Sequence, residues 1–214
     1  MKKIVFLASF VLFGLFISPV FAATLPSGGV LDFTVVRKGK DIGRHLMTFD
    51  KKDNQVDVSI ETRVKVKVLM ITAYHFDHSA KETWKNGKLT TMKSSTDDNG
   101  KKHRMKVTMQ GTKLFMEADG TGRPVPVDII PASLWNKTMV EQASVLNTLD
   151  GRTMKINVEN AGEEILTVRG AEIKTDHYKI RGELQRDLWY TPSGLLVKVA
   201  FNGDDGTEVQ YILK

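Results

Sequence analysis

The sequence predicts an all-β protein, mainly antiparallel, whose sheet curves into a half-barrel or barrel, with one short helix after an export signal. Three observations carry this expectation. Apolar and polar residues alternate with period two over long stretches, the pattern of strands with one buried and one wet face. Turn-forming residues recur at the short spacing of hairpins. Only one stretch beyond the N-terminus has helical spacing.

The first element is the export signal. Met1-Lys2-Lys3 supplies a positive start, and residues 4–17 form an uncharged run rich in Phe, Leu and Val. Ser18-Pro19 breaks that run, and Val20-Phe21-Ala22 has the small side chains of a cleavage site. Cleavage is expected after Ala22, with Ala23 as the next candidate. The run is shorter than the roughly 20 residues of a spanning helix, so removal is favoured over a retained anchor. No Cys is present, which closes the route to a lipid-anchored product.

Residues 23–214 are expected to form a single antiparallel β domain. About 190 residues suffice for one core, and a chain of that size buries roughly 70% of its unfolded surface. It therefore needs no disulfide. A Cys-free exported chain suits a bacterial periplasm, that of a Gram-negative organism, better than a small eukaryotic secreted domain. The formal net charge is +6, and about +4 without Lys2 and Lys3. Acidic and basic residues interleave, which gives a solvated polar face and no nucleic-acid footprint.

Within the domain, the Lys38–Asp41 turn separates strands at 31–37 and 42–50. The clearest strand is 56–68. Val56, Val58, Ile60, Val64, Val66 and Val68 share one face, with Thr62 the only polar residue in that row; Asp57, Ser59, Glu61, Arg63, Lys65 and Lys67 share the other. Leu69-Met70-Ile71 then runs apolar without a break; either a bulge there changes the facing and curls the sheet around a cavity, or the strand passes from one-sided to two-sided burial. Asn86-Gly87 is a two-residue hairpin signal between 82–85 and 88–95. Reversals follow at 97–100 and 110–112. Residues 124–131 read as an extended, Pro-rich crossing, after which Ser133 caps a helix over 134–142 carrying Trp135 and Met139. Pro192-Ser193-Gly194 joins strands at 188–191 and 195–202, and Asp204-Asp205-Gly206 leads into 207–213.

Few residues carry a recognisable chemistry. Tyr74-His75-Phe76-Asp77-His78 places two imidazoles and a carboxylate close together, but on a strand His75 and His78 face opposite sides and only His75 and Asp77 share one. There is no nucleophile elbow and no phosphate-cradling glycine loop. Asp97/Asp98 and Asp204/Asp205 sit beside Gly in turns, which explains them without acid–base chemistry. Nothing in the chain requires a cofactor. Trp84, Trp135 and Trp189 are expected to pack half-buried with each indole N–H finding a partner, and the alternative is that Trp135 and Trp189 line an apolar pocket, towards which a frequency of Met suited to adaptable cavities also points.

Several stretches together resemble one family. They are Val35-Val36-Arg37-Lys38-Gly39 with Ile42-Gly43, the 74–78 stretch followed by Glu82-Thr83-Trp84-Lys85-Asn86-Gly87, Pro131-Ala132-Ser133-Leu134-Trp135-Asn136, Leu146-Asn147-Thr148-Leu149-Asp150-Gly151 and Asp187-Leu188-Trp189-Tyr190. Their order resembles exported proteobacterial proteins grouped as domain of unknown function 6134, distantly like family 3108. The resemblance implies no activity, cofactor or catalytic residue. The final hairpin is similar to those of periplasmic half-barrel families that include lipoprotein carriers, where a curved sheet closes over an apolar groove.

The expected function is thus non-enzymatic binding of a lipophilic or envelope-derived ligand in the concavity, with Tyr74, Phe76, Trp135, Met139 and Trp189 as its lining. Two alternatives stand beside it: an envelope interaction module using Arg63, Lys65 and Lys67 against anionic partners, and a hydrolase or metal site around His75, Asp77 and His78 with Asp97.

Overall fold

A computed structural model describes residues 24–69 and 71–214. The expected signal peptide and Met70 lie outside the described residues. Fourteen strands form one sheet in which every neighbouring pair is antiparallel. The first meander is β1 (Val30–Arg37), β2 (Lys40–Lys52), β3 (Gln55–Val68), β4 (Ile71–Lys85), β5 (Lys88–Asp98), β6 (Lys101–Gln110), β7 (Lys113–Ala118) and β8 (Thr121–Val125). The second is β9 (Ser144–Leu146), β10 (Thr153–Val168), β11 (Ala171–Gly182), β12 (Arg186–Tyr190), β13 (Leu196–Asn202) and β14 (Glu208–Leu213). They join side by side through β1 and β14, where Phe33 pairs with Leu213 and Val35 with Tyr211. The two free edges are therefore β8 and β9. Among the described residues no helix is long and apolar enough to cross a membrane.

Sequence chemistry sets the hairpins. Asn86-Gly87 takes φ values of 50° and 74°, the paired positive angles that match the twist of the strands it joins, and Arg169-Gly170 does the same at 55° and 77°. Registers skip a residue at five places, leaving Ile42, Ala73, Thr90, Ala161 and Val197 without a direct partner. Each bulge raises the local twist and bends its strand, which is how so long a sheet curls on itself.

Two expectations need correction. Leu69 is not in a mid-strand bulge; it is in the turn that ends β3, at φ 49°, and Val68 pairs with Ile71 across it. The bulge lies further on, at Ala73. Residues 134–142 are not an α-helix capped by Ser133. Leu134 sits at φ 72°, and only a 3-10 helix forms, Lys137–Glu141, capped by Asn136, whose Oδ1 accepts from the Thr138 N–H at 3.1 Å. Tertiary contacts explain the loss of the first turn: the Tyr190 hydroxyl donates to the Leu134 carbonyl at 2.6 Å, and Trp135 turns inward.

The segment between β8 and β9 crosses the concave face and fills much of it. Ile129, Ile130, Leu134, Trp135 and Met139 are buried there. The Trp135 ring meets Phe49 at 5.5 Å and Trp84 at 5.4 Å, both edge-on. Its indole N–H donates to Glu82 Oε2 at 3.0 Å, and the Trp84 N–H donates to the same oxygen at 2.8 Å. Desolvation pushes this buried carboxyl above its ordinary range, and the bonds from Trp135 and Trp84 oppose that shift.

Candidate functional site

On the inner face, the row that should be apolar is polar for four strands in succession. His45 on β2 pairs in register with Thr62 on β3, Thr62 with His78 on β4, and His78 with Thr96 on β5. All four are buried. His45 Nδ1 and Thr62 Oγ1 share a hydrogen bond at 2.6 Å, and His78 Nδ1 and Thr96 Oγ1 share one at 2.9 Å. Burial holds both imidazoles neutral: it depresses His45 to about 3, with the neighbouring His78 adding to the effect, and His78 to about 4. His45 Nε2 has no hydrogen-bond partner among the described residues, although buried polar atoms are ordinarily satisfied.

A cleft of about 290 Å³ opens beside this row. One wall comes from the first meander: His45, Ile60, Thr62, Phe76 and His78. The facing wall comes from the crossing and the second meander: Leu134, Leu149, Met154, Leu184, Arg186 and Tyr211. An aromatic column runs along the side. His45 lies tilted on Tyr211 at 4.9 Å, Tyr211 meets Phe201 edge-on at 5.7 Å, and the Arg186 guanidinium lies over the Phe201 ring at 3.8 Å. The cleft thus combines apolar side chains with a neutral imidazole and a cation, the composition of a site that orients an amphiphilic molecule. Its volume is at the small end of the roughly 300–1,000 Å³ typical of ligand pockets.

The five residues expected to line a pocket do not share one cavity. Phe76 lines the cleft. Trp135 and Met139 are buried in the packed crossing, with Met139 wholly inaccessible. The Tyr74 hydroxyl donates to Asp98 Oδ1 at 2.8 Å, where the start of β4 meets the end of β5. Trp189 is on the opposite face of the sheet. It stacks on His177 at 4.2 Å, lies under Lys198 at 4.4 Å and donates to Glu164 Oε2 at 2.8 Å. His177 is held there between Glu164 Oε1 at 2.7 Å and Asp187 Oδ2 at 3.1 Å.

The 74–78 cluster divides as strand parity requires. His78 faces inward to Thr96, and His75 Nε2 approaches Asp97 Oδ1 at 3.2 Å on the outer face. Among the described residues no group of three or more His, Cys, Asp or Glu is arranged to hold a metal ion. A wider depression of about 550 Å³ over β5–β7 is lined by Asp97, Lys102, His103 and Asp119; Asp97 pairs with His75 and Asp119 with His103, the latter at 2.5 Å. Arg63, Lys65 and Lys67 are exposed on β3, with Arg63 paired to Glu61 at 3.3 Å, and the turn beyond them presents Leu69 to solvent.

His45, Thr96, Arg186 and Tyr211 were not singled out by the sequence. A signal existed for His45, which shares strand parity with buried Met47 and pairs with Thr62, the polar member of an apolar row. Arg186 shares parity with Leu188 and Tyr190, but the strand is too short for alternation to be visible.

Comparison with curated proteins returns no match. Among solved structures, the chain is similar to a β-barrel-like protein of domain of unknown function DUF1849 from Brucella abortus. The TM-score is 0.57 at 8% identity, over 86% of this chain and 94% of that one, a likeness of fold. The model of one family spans residues 33–214, nearly all of the described sheet, and the chain accordingly belongs to the family Domain of unknown function (DUF6134).

Proposed function

We propose that this protein is a non-enzymatic binding protein of the bacterial periplasm that takes a small lipophilic ligand into the cleft between its two meanders. The observation that carries the reading is the cleft itself. A half-enclosed space of mixed lining sets Ile60, Phe76, Leu134, Leu149, Met154 and Leu184 beside polar groups, the half-buried Arg186 among them, which suits a molecule with an apolar body and a polar end. The two imidazoles at the cleft are hydrogen-bonded to threonine hydroxyls, and burial lowers their proton affinities to about 3 and about 4, which makes them weak bases near neutral pH. The periplasmic address rests on the N-terminal sequence, with its basic start, apolar run and Ala22 cleavage site.

The test is native mass spectrometry of protein recovered from the periplasm. The expected result is a chain starting at Ala23 that carries a non-covalent small molecule. Ala132→Phe, which projects a ring into the cleft, is expected to abolish the adduct while changing the urea midpoint little. A chain that keeps Met1 overturns the address. An adduct carried equally by Ala132→Phe overturns the site.

A further inference from the structure

Arg37, Arg44, Arg63, Arg152 and Arg181 each meet a carboxylate: Asp205, Asp32, Glu61, Asp150 and Asp187 respectively. Arg104, Arg123, Arg169 and Arg186 meet no side-chain carboxylate among the described residues, and Arg186 is the one of these four that lines the cleft. Its guanidinium lies over Phe201, and Nη1 donates to the carbonyl of the adjacent Gln185 at 2.7 Å. It is half-buried at the cleft wall, and burial lowers its proton affinity, with only Tyr211 opposing. A guanidinium withdrawn from water without an anion is costly, and its planar fork matches a carboxylate or phosphate. Two further charges reach the cleft. Arg152 is neutralised by Asp150, and Glu183 accepts the Lys155 backbone N–H at 2.7 Å through one oxygen. The two histidines contribute no charge near neutrality.

We infer that the cleft is built for an anionic amphiphile: a carboxylate or phosphate head pairs with Arg186, and a short acyl chain lies against Ile60, Phe76, Leu134 and Leu184. The inference rests on the ligand-binding reading above and adds the chemical class. Phe201 keeps the guanidinium extended by cation–π contact, so the head group meets a pre-positioned donor pair and little side-chain entropy is lost on binding.

The test compares decanoate, decyl phosphate and decanol, equal in chain length, by titration calorimetry on the mature protein. At least one anion is expected to bind tenfold or more tightly than decanol at low salt, and whichever does identifies the head group. The margin is expected to shrink as salt rises. Arg186→Gln is expected to remove the margin between the anions and decanol, and Arg186→Lys to keep part of it. Equal binding of all three probes to the wild type overturns the anionic assignment and leaves the cleft reading intact. Binding of none of them, together with an adduct-free periplasmic protein, overturns both. The wild-type comparison needs no variant, so a misfolded Arg186→Gln leaves the inference testable.

Discussion

His45 and His78 each engage one ring nitrogen with a threonine hydroxyl across a strand pair, and both remain buried and neutral. Their folded-state affinities for a proton, about 3 and about 4, lie below the ordinary value of 6.5. The unfolded chain therefore binds more protons than the folded one between about pH 6.5 and 4, and stability must fall as pH falls through that window. Each histidine contributes up to about 1.4 kcal/mol per pH unit there. Glu82 acts in the opposite sense: its raised proton affinity gives stability that is present in acid and lost as pH rises. Asp32, Asp57 and Glu164, held low by Arg44, Thr83 and Trp189 respectively, lose their contributions only below about pH 4. Urea midpoints of the wild type and His45→Gln at pH 7, 6, 5 and 4 separate these effects. His45→Gln is expected to show a clearly shallower acid decline. An identical decline in both proteins would mean that His45 takes up its proton in the folded state without cost.

At the scale of strands, alternation made β3 legible because one of its faces meets the core along much of its length. It failed where burial is not one-sided or where a bulge breaks parity. β10 is the main case. Met154 and Ile156 alternate inward, but Asn160, Ala161 and Gly162 interrupt the row at the bulge opposite Tyr178 and His177, and the strand then projects with Ile165 largely exposed. The 3-10 helix was misread for another reason, since Trp135 has a partner far away in sequence, the Glu82 carboxylate, that overrides local helical spacing. Gly43, which the sequence marks only through the family resemblance, has a structural task. It faces Val64 across β2 and β3, and a Cβ there would overlap the Arg63 carbonyl oxygen. Backbone cannot move aside as a side-chain end can. Gly43→Ala is expected to cost about 1–3 kcal/mol, read from the urea midpoint, and to weaken amide protection in β2 and β3 first. A variant as stable as the wild type would show that the two strands separate freely at this point.

For the whole molecule, the order of the strands explains why two distant parts of the chain make one cleft. Each meander is local and follows from its turns. The closure does not: β1 meets β14, the ends of the described chain, and nothing in alternation or turn chemistry encodes that pairing. The remaining gap, between β8 and the start of β10, is bridged by side chains. Arg123 Nη2 donates to the Gly151 carbonyl and to Thr153 Oγ1, both at 2.9 Å, and the Ser94 hydroxyl donates to the Thr148 carbonyl at 2.7 Å. Residues 147–149 also line the cleft, so the seam and the cleft share a loop. Loosening the seam should therefore act on both. Arg123→Ala removes two hydrogen bonds and is expected to lower stability by about 1–2 kcal/mol. Hydrogen exchange should speed up in β8, β9 and 147–153 while β1 and β14 keep their protection. Binding of a decyl probe should weaken in the same variant, because the Leu149 wall is no longer held. Faster exchange at the seam with unchanged affinity would mean that the 147–149 loop is fixed by Ser94 and the crossing alone, and that the cleft does not depend on how far the barrel closes.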